Sequence, residues 1–207
     1  MTEETRTAPS LETRILNTIR RWGRGSVFSN RDFFKLGTDS SVAWCLYRLK
    51  DKGIIRMLCR GLYDYPKFSR LLGEYLAPDL HRVAEALADK YRWHIQASGN
   101  TALNYLGLST QVPTRFLYLS DGPSRSYSIA GQTLEFKHTS RREFYPGHRE
   151  SELFIQATRE LGTLCCTEAY LPKLRSLLTP TLRRDLTDAL PYLTEDHRRC
   201  IKNILKT

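Results

Sequence analysis

The 207-residue chain has no apolar run approaching the ~20 residues that a bilayer-spanning helix requires. Its polar start, MTEETRTAPS, lacks the apolar stretch of a secretory signal. A soluble, cytoplasmic protein with no membrane partner is therefore expected. A cysteine framework is missing too. Cys45, Cys59, Cys165, Cys166 and Cys200 are odd in number, and no CxxC spacing occurs. Reduced, mostly structural thiols follow from this, against a disulfide frame or a zinc site. Catalytic signatures are equally scarce. His81, His94, His138, His148 and His197 are scattered without an HExxH or HxH spacing. There is no GxxxxGK[ST] loop, no kinase-like HRD or DFG set and no GxSxG elbow. No catalytic residue, metal or cofactor is assigned, and neither an internal repeat nor a low-complexity tract is present.

Acidic residues are sparse in one region. From Arg14 to Arg60 there are eleven lysines and arginines against Asp32, Asp39 and Asp51, which places +8 of the chain's +10 net charge there. A pI near 9.5 with the excess gathered in the first quarter favours an anionic partner over a merely solubilising surface.

The pattern inside that region is specific. Ser10 caps a predicted helix, LETRILNTIRRW, with Leu11, Ile15, Ile19 and Trp22 as its apolar stripe. Val27-Phe28 reads as a short strand, and RDFFKL as a brief second helix capped by Ser29 or Asn30. Thr38 or Asp39 caps a third helix ending at Gly53, with Val42, Cys45, Leu46 and Leu49 on its buried side. Ile54 to Cys59 and Leu62 to Tyr65 flank Arg60-Gly61 as a hairpin. Three helices, a short glycine-containing turn and a hairpin are the winged helix-turn-helix order.

The third helix carries Ser40, Ala43, Trp44 and Tyr47 away from its apolar side, flanked by Arg48 and Lys50. Two large aromatics there either meet a groove, touching thymine methyls and sugars, or fold back over the core edge. Ser29, Asn30, Ser40 and Ser41, with Arg31 beside them, sit at helix starts whose free N–H groups suit a phosphate; simple capping competes. Arg48 and Lys50 read as phosphate clamps or as solvated charges. Arg60, at the hairpin tip, reads as a minor-groove contact or a polar turn residue; Arg56 and Lys52 are second choices.

Beyond Pro66 the pattern changes. KFSRLLGEYLA is predicted as a connecting helix and DLHRVAEALADKY as another. A strand at Trp93 to Ala97, a short helix in GNTALNYLGL and strands at Thr114 to Leu119, Ser126 to Ile129 and Thr133 to His138 follow. ESELFIQATREL, TEAYLPKLRSLL, TLRRDLTDAL and TEDHRRCIKNILK then read as helices. The expected fold class is α+β: a winged helix-turn-helix domain over residues 1–66, then a mixed α/β domain over 67–207 ending in helices. Ser98-Gly99-Asn100 reads as a cap. Lys137, His138, Arg141, Arg142, His148 and Arg149 form either a second basic patch, for a protein's acidic surface, RNA or DNA, or a solvated loop.

The run VFSNRDFFKLGTDSSVAWCLYRLKDKGIIRMLCRGLYDYPK resembles the winged-helix domain of AbiEi-type antitoxins, from type IV toxin–antitoxin and abortive-infection (phage-defence) systems of bacteria. ASGNTALNYLGLSTQVPTRFLYLSDGPSRSYSIAGQTLEFKH is similar to the start of that family's second domain. The resemblance implies a bacterial cytoplasmic antitoxin encoded beside a nucleotidyltransferase-type toxin. Its first domain would bind double-stranded promoter DNA and repress its own operon; since one winged-helix monomer buries a modest DNA interface, a homodimer or cooperative binding to paired sites is expected. Its second domain would counteract the toxin. Two alternatives stand beside this reading: a toxin-modifying, phosphoryl-transferring enzyme, and a protein-interaction module whose winged helix does not bind DNA.

Overall fold

The computed structural model describes residues 9–109, 114–140, 144 and 148–206. The Ser10 hydroxyl accepts from the Thr13 amide, and helix α1 runs Leu11–Trp22 until Gly23, at φ +86°, turns the chain out. Ile15 and Ile19 are buried, as their spacing requires. Trp22 is half exposed, its ring lying 5.8 Å from Phe28 and 5.2 Å from Phe33 between centroids, so it caps the core rather than entering it.

Strand β1 is Val27–Ser29, and the third predicted helix is α2, Asp39–Asp51, with the Thr38 hydroxyl accepting from Ser41 N–H. Val42, Cys45, Leu46 and Leu49 pack with Ile15, Ile19, Phe28, Phe33 and Ile55 in one apolar cluster. Strands β2 (Arg56–Cys59) and β3 (Leu62–Asp64) form the hairpin, and β1 pairs antiparallel with β3 to give the order β1-β3-β2. Gly61 takes φ +71° at its tip, a conformation a side chain would resist. This is the winged helix-turn-helix order, with one shortening. RDFFKL forms only a 3-10 turn, Asn30–Phe33, started by Ser29, whose amide and hydroxyl both donate to the Asp32 carboxylate.

The segment after Pro66 departs from its periodicity. Phe68, Leu71, Leu72 and Tyr75 have helical spacing, yet the chain forms a hairpin of β4 (Phe68–Ser69) and β5 (Glu74–Tyr75). Gly73 at φ +68° turns it, and Phe68 and Tyr75 meet edge to face at 5.3 Å across the two strands. Leu71 and Leu72 remain exposed; with no apolar face to cover, a helix there has nothing to bury.

Asp79 caps α3, Leu80–Tyr91, whose inner face packs on β1. The chain therefore divides at Arg92 and Trp93 into two compact units, not after Pro66. The physical reason is that α3 supplies Leu80, Val83, Ala84 and Leu87 as buried residues on the side of the first unit's sheet.

The second unit holds a four-stranded sheet. Its strands are β6 (Ile95–Ala97), β7 (Arg115–Ser120), β8 (Arg125–Ile129) and β9 (Gln132–His138), ordered β6-β7-β9-β8. β7 and β9 run parallel and the other pairs antiparallel. Helix α4 is Gly99–Tyr105. Helix α5, Arg149–Leu161, contacts α4 and β6 and buries Phe154, Ile155, Ala157 and Leu161, while Leu153 is half-buried. A 3-10 turn, Gly162–Cys166, leads to α6 (Leu171–Ser176), α7 (Pro180–Ala189) and α8 (Glu195–Leu205). The predicted TEAYLPKLRSLL helix shrinks to α6 because Pro172 suits only a first turn. The whole is mixed α and β, with helices at both ends. No helix among the described residues is long and apolar enough to cross a membrane.

The thiols also differ from expectation. Cys165 and Cys200 are joined as a disulfide across 35 residues. Contacts between α8 and the Gly162–Cys166 turn bring them together, a tertiary event that sequence spacing does not encode. Cys45, Cys59 and Cys166 are free.

Candidate nucleic-acid interface

One ridge of α2 stays uncovered. Ser40, Ala43, Trp44 and Tyr47 are all exposed, three or four residues apart, so they stand on one side of the helix. Trp44 is 62% and Tyr47 49% exposed. Their rings stack at 5.6 Å with an interplanar angle of 15°, and Lys50 Nζ lies 5.1 Å over the Tyr47 ring. Indole, phenol and ammonium thus form a continuous ladder along the helix. The aromatics do not fold back over the core. Ser41 turns the other way: it closes the cap, donating from its hydroxyl to the Thr38 carbonyl at 3.0 Å.

A second group gathers at the hairpin tip. Arg60 is exposed, and its carbonyl accepts from Lys90 Nζ at 2.6 Å. Arg31, in the 3-10 turn, donates to the Lys90 carbonyl at 2.7 Å. A Cβ at Gly61 would stand 3.0 Å from Lys90 Nζ and 3.8 Å from Asn30 Oδ1, so Asn30 adjoins the same tip. The end of α3 thereby ties the turn to the hairpin. Arg31, Lys35 and Lys90 border a shallow cavity of about 320 Å³ there, with Asp32 and Asp89 also on its wall; Lys35 and Lys90 are cations that sequence reasoning missed. The signal was faint: Lys90 reads as an ordinary last-turn lysine.

Other predicted contacts are spent inside the fold. Ser29 is buried, and both its amide and its hydroxyl donate to Asp32 Oδ2, at 2.6 and 3.0 Å. It has no free group for a phosphate. Arg56 is bidentate on Asp64, Nε to Oδ1 at 3.1 Å and NH2 to Oδ2 at 2.6 Å, and donates again to the Leu76 carbonyl at 3.2 Å. With Asp64 only 2% exposed, Arg56 is a structural arginine. Arg48 and Lys52 both pair with Glu12 on α1, Arg48 Nε at 3.1 Å. The Lys52 hydrogen bond, then the nearby Arg48 and Lys52 charges, hold the Glu12 carboxyl below its usual range despite some desolvation. Arg48 keeps half its surface but shares its charge.

In the second unit, Arg141 and Arg142 lie outside the described residues. His138 Nδ1 lies 2.9 Å from the Gly122 carbonyl, and His148 Nδ1 lies 3.9 Å from Asp185. Lys137 is exposed on the last strand. Ser98 is the N-cap of α4, its carbonyl accepting from the Ala102 amide at 2.9 Å, without a side-chain capping bond.

Residues 14–186 match DUF6088, a family of unknown function. The chain belongs to the DUF6088 family. No curated protein matches it. It is similar to the crystal structure of the RV2827C protein from Mycobacterium tuberculosis, at 14% identity and a TM-score of 0.43, over 97% of this chain and 82% of that one.

Proposed function

We propose that this DUF6088 member is a DNA-binding autorepressor and antitoxin whose first unit grips its own promoter. The observation that carries the DNA-binding half is the Trp44–Tyr47–Lys50 ladder. Leaving two stacked aromatics in water forgoes the burial free energy that would drive them inward. On a helix within a region of +8 charge, base and sugar surfaces are the partner that rewards both features. Arg60, Arg31 and Lys90 at the hairpin tip supply a second phosphate-binding group. The antitoxin half rests on the resemblance of residues 27–67 and 97–138 to AbiEi-type antitoxins, and its partner would be a nucleotidyltransferase-type toxin.

A second reading has one observation in its favour. Stacked exposed aromatics also suit a protein interface, where tyrosine and tryptophan are enriched. Salt separates the two. Binding of the full chain to its upstream promoter, followed by fluorescence anisotropy at several salt concentrations, should show a steep slope. Arg60→Ala and Lys50→Ala should each reduce the slope by about one unit for every phosphate no longer neutralised. Trp44→Ala should weaken binding by about 1–3 kcal/mol with the slope unchanged, since stacking and methyl contacts release no counterions. No promoter binding at low salt, with capture of the purified toxin by the same face, would move the assignment to the interaction module. Labelled ATP with purified toxin tests for phosphoryl transfer.

A further inference from the structure

The DNA-binding reading uses none of the cysteines in the second unit, yet three of them converge. Cys165 and Cys166 close the 3-10 turn after α5, and Cys200 lies on the buried side of α8. The Cys166 Sγ stands 3.7 Å from that of Cys165 and 3.6 Å from that of Cys200, and all three sulfurs lie within 4.8 Å of one another. Cys165 and Cys200 are buried, whereas Cys166 is exposed. Cys166 and Cys200 open onto a cavity of about 690 Å³, bordered also by Arg159, Arg199 and Lys202.

Those distances suit a metal's ligand shell. In a tetrahedral site with metal–sulfur bonds of ~2.3 Å, neighbouring sulfurs stand ~3.8 Å apart. Both Cys166 separations already lie close to this value. The remaining pair is covalently joined, but its Cα atoms are 6.8 Å apart, at the wide end of the disulfide range. Once that bond is reduced, side-chain rotation alone separates the two sulfurs. Thiolates are soft ligands and select soft or borderline cations over calcium and magnesium.

We propose that in the reduced chain Cys165, Cys166 and Cys200 form a three-thiolate site for a thiophilic divalent cation of the zinc and cadmium class. The fourth coordination position faces the cavity. A dithiol reductant first takes up the oxidation: its two thiols become a disulfide as the Cys165–Cys200 bond becomes two thiols. The cation then displaces three protons as three metal–sulfur bonds form. The resulting centre carries one net negative charge, which Arg159, Arg199 and Lys202 around the cavity offset. Disulfide and metal use the same sulfurs, so each state excludes the other.

The test is a cadmium titration of the full chain, reduced by a phosphine without oxygen, once a thiol count confirms all five cysteines are free. Thiolate-to-cadmium charge-transfer absorbance reports the bonds formed. The expected result is one ion per chain. Cys166→Ser, at an exposed position that the fold tolerates, should lower the band by about one third and weaken binding at least ~10-fold. Cys45→Ser and Cys59→Ser should leave band and affinity unchanged, and the oxidised chain should bind no ion. A reduced chain that gives no band, or a band that Cys166→Ser leaves intact, overturns the site.

Discussion

Replacing Arg56 by alanine should unfold the first unit more readily while leaving its DNA affinity alone, and the structure supplies the size of the effect. The guanidinium makes two hydrogen bonds to the Asp64 carboxylate and a third to the Leu76 carbonyl. Asp64 is buried, so its charge depends on this one cation. Breaking a fully buried pair costs about 3–5 kcal/mol, because the remaining ion is left uncompensated. The Arg56 side chain is 35% exposed, which admits water and lowers the expectation to about 2–4 kcal/mol. For a unit of this size, that is a fall in melting temperature of about 10–25 °C. Thermal melts followed by near-ultraviolet circular dichroism, with Trp22 and Trp44 as reporters, measure it. Promoter binding, measured well below the lowered transition, should keep the wild-type affinity and salt slope. The double variant Arg56→Met with Asp64→Leu should recover most of the stability, since an apolar pair needs no partner charge. An Arg56→Ala protein with a normal melt and a salt slope smaller by about one unit would refute the reasoning and return this arginine to the DNA-binding face.

Other outcomes follow from single contacts. Trp44→Ala should change stability by less than ~0.5 kcal/mol, because the ring is exposed and its stacking among the described residues is on Tyr47, itself exposed; a chemical denaturation curve checks this. Gly61→Ala should cost about 1–2 kcal/mol, as φ +71° disfavours a side chain and the new Cβ would press on Lys90 Nζ; a denaturation midpoint matching the wild type would contradict it. His197 is buried against Thr158, 2.9 Å from its hydroxyl, and desolvation with the nearby Arg159 charge lowers its pKa to about 4. The unfolded chain therefore takes up a proton there that the folded chain refuses. Stability should be whole above about pH 6.5 and fall as pH drops towards 4, by on the order of 2–3 kcal/mol. Thermal melts of wild type and His197→Gln across that range should converge at low pH if this histidine is responsible.

Periodicity and caps were enough to place α1, α2, the β2–β3 hairpin and the strands of the second unit. In each, a strong apolar repeat and its start and stop residues agree, so local preference and burial act in one direction. The outward position of Trp44 and Tyr47 was also legible, since a helix that buries Val42, Cys45, Leu46 and Leu49 has to point them elsewhere. Periodicity misled after Pro66, where helical spacing existed without a surface to bury it and a glycine turned the chain into β4 and β5. Three further results depended on the folded chain: the attachment of α3 to the first sheet, the diversion of Arg56 onto Asp64 and the Leu76 carbonyl, and the meeting of Cys165, Cys166 and Cys200. All three join residues distant in the chain or settle which of two charged partners a side chain faces. Such pairings are set by how whole elements pack, and a linear pattern of residue types carries no record of them.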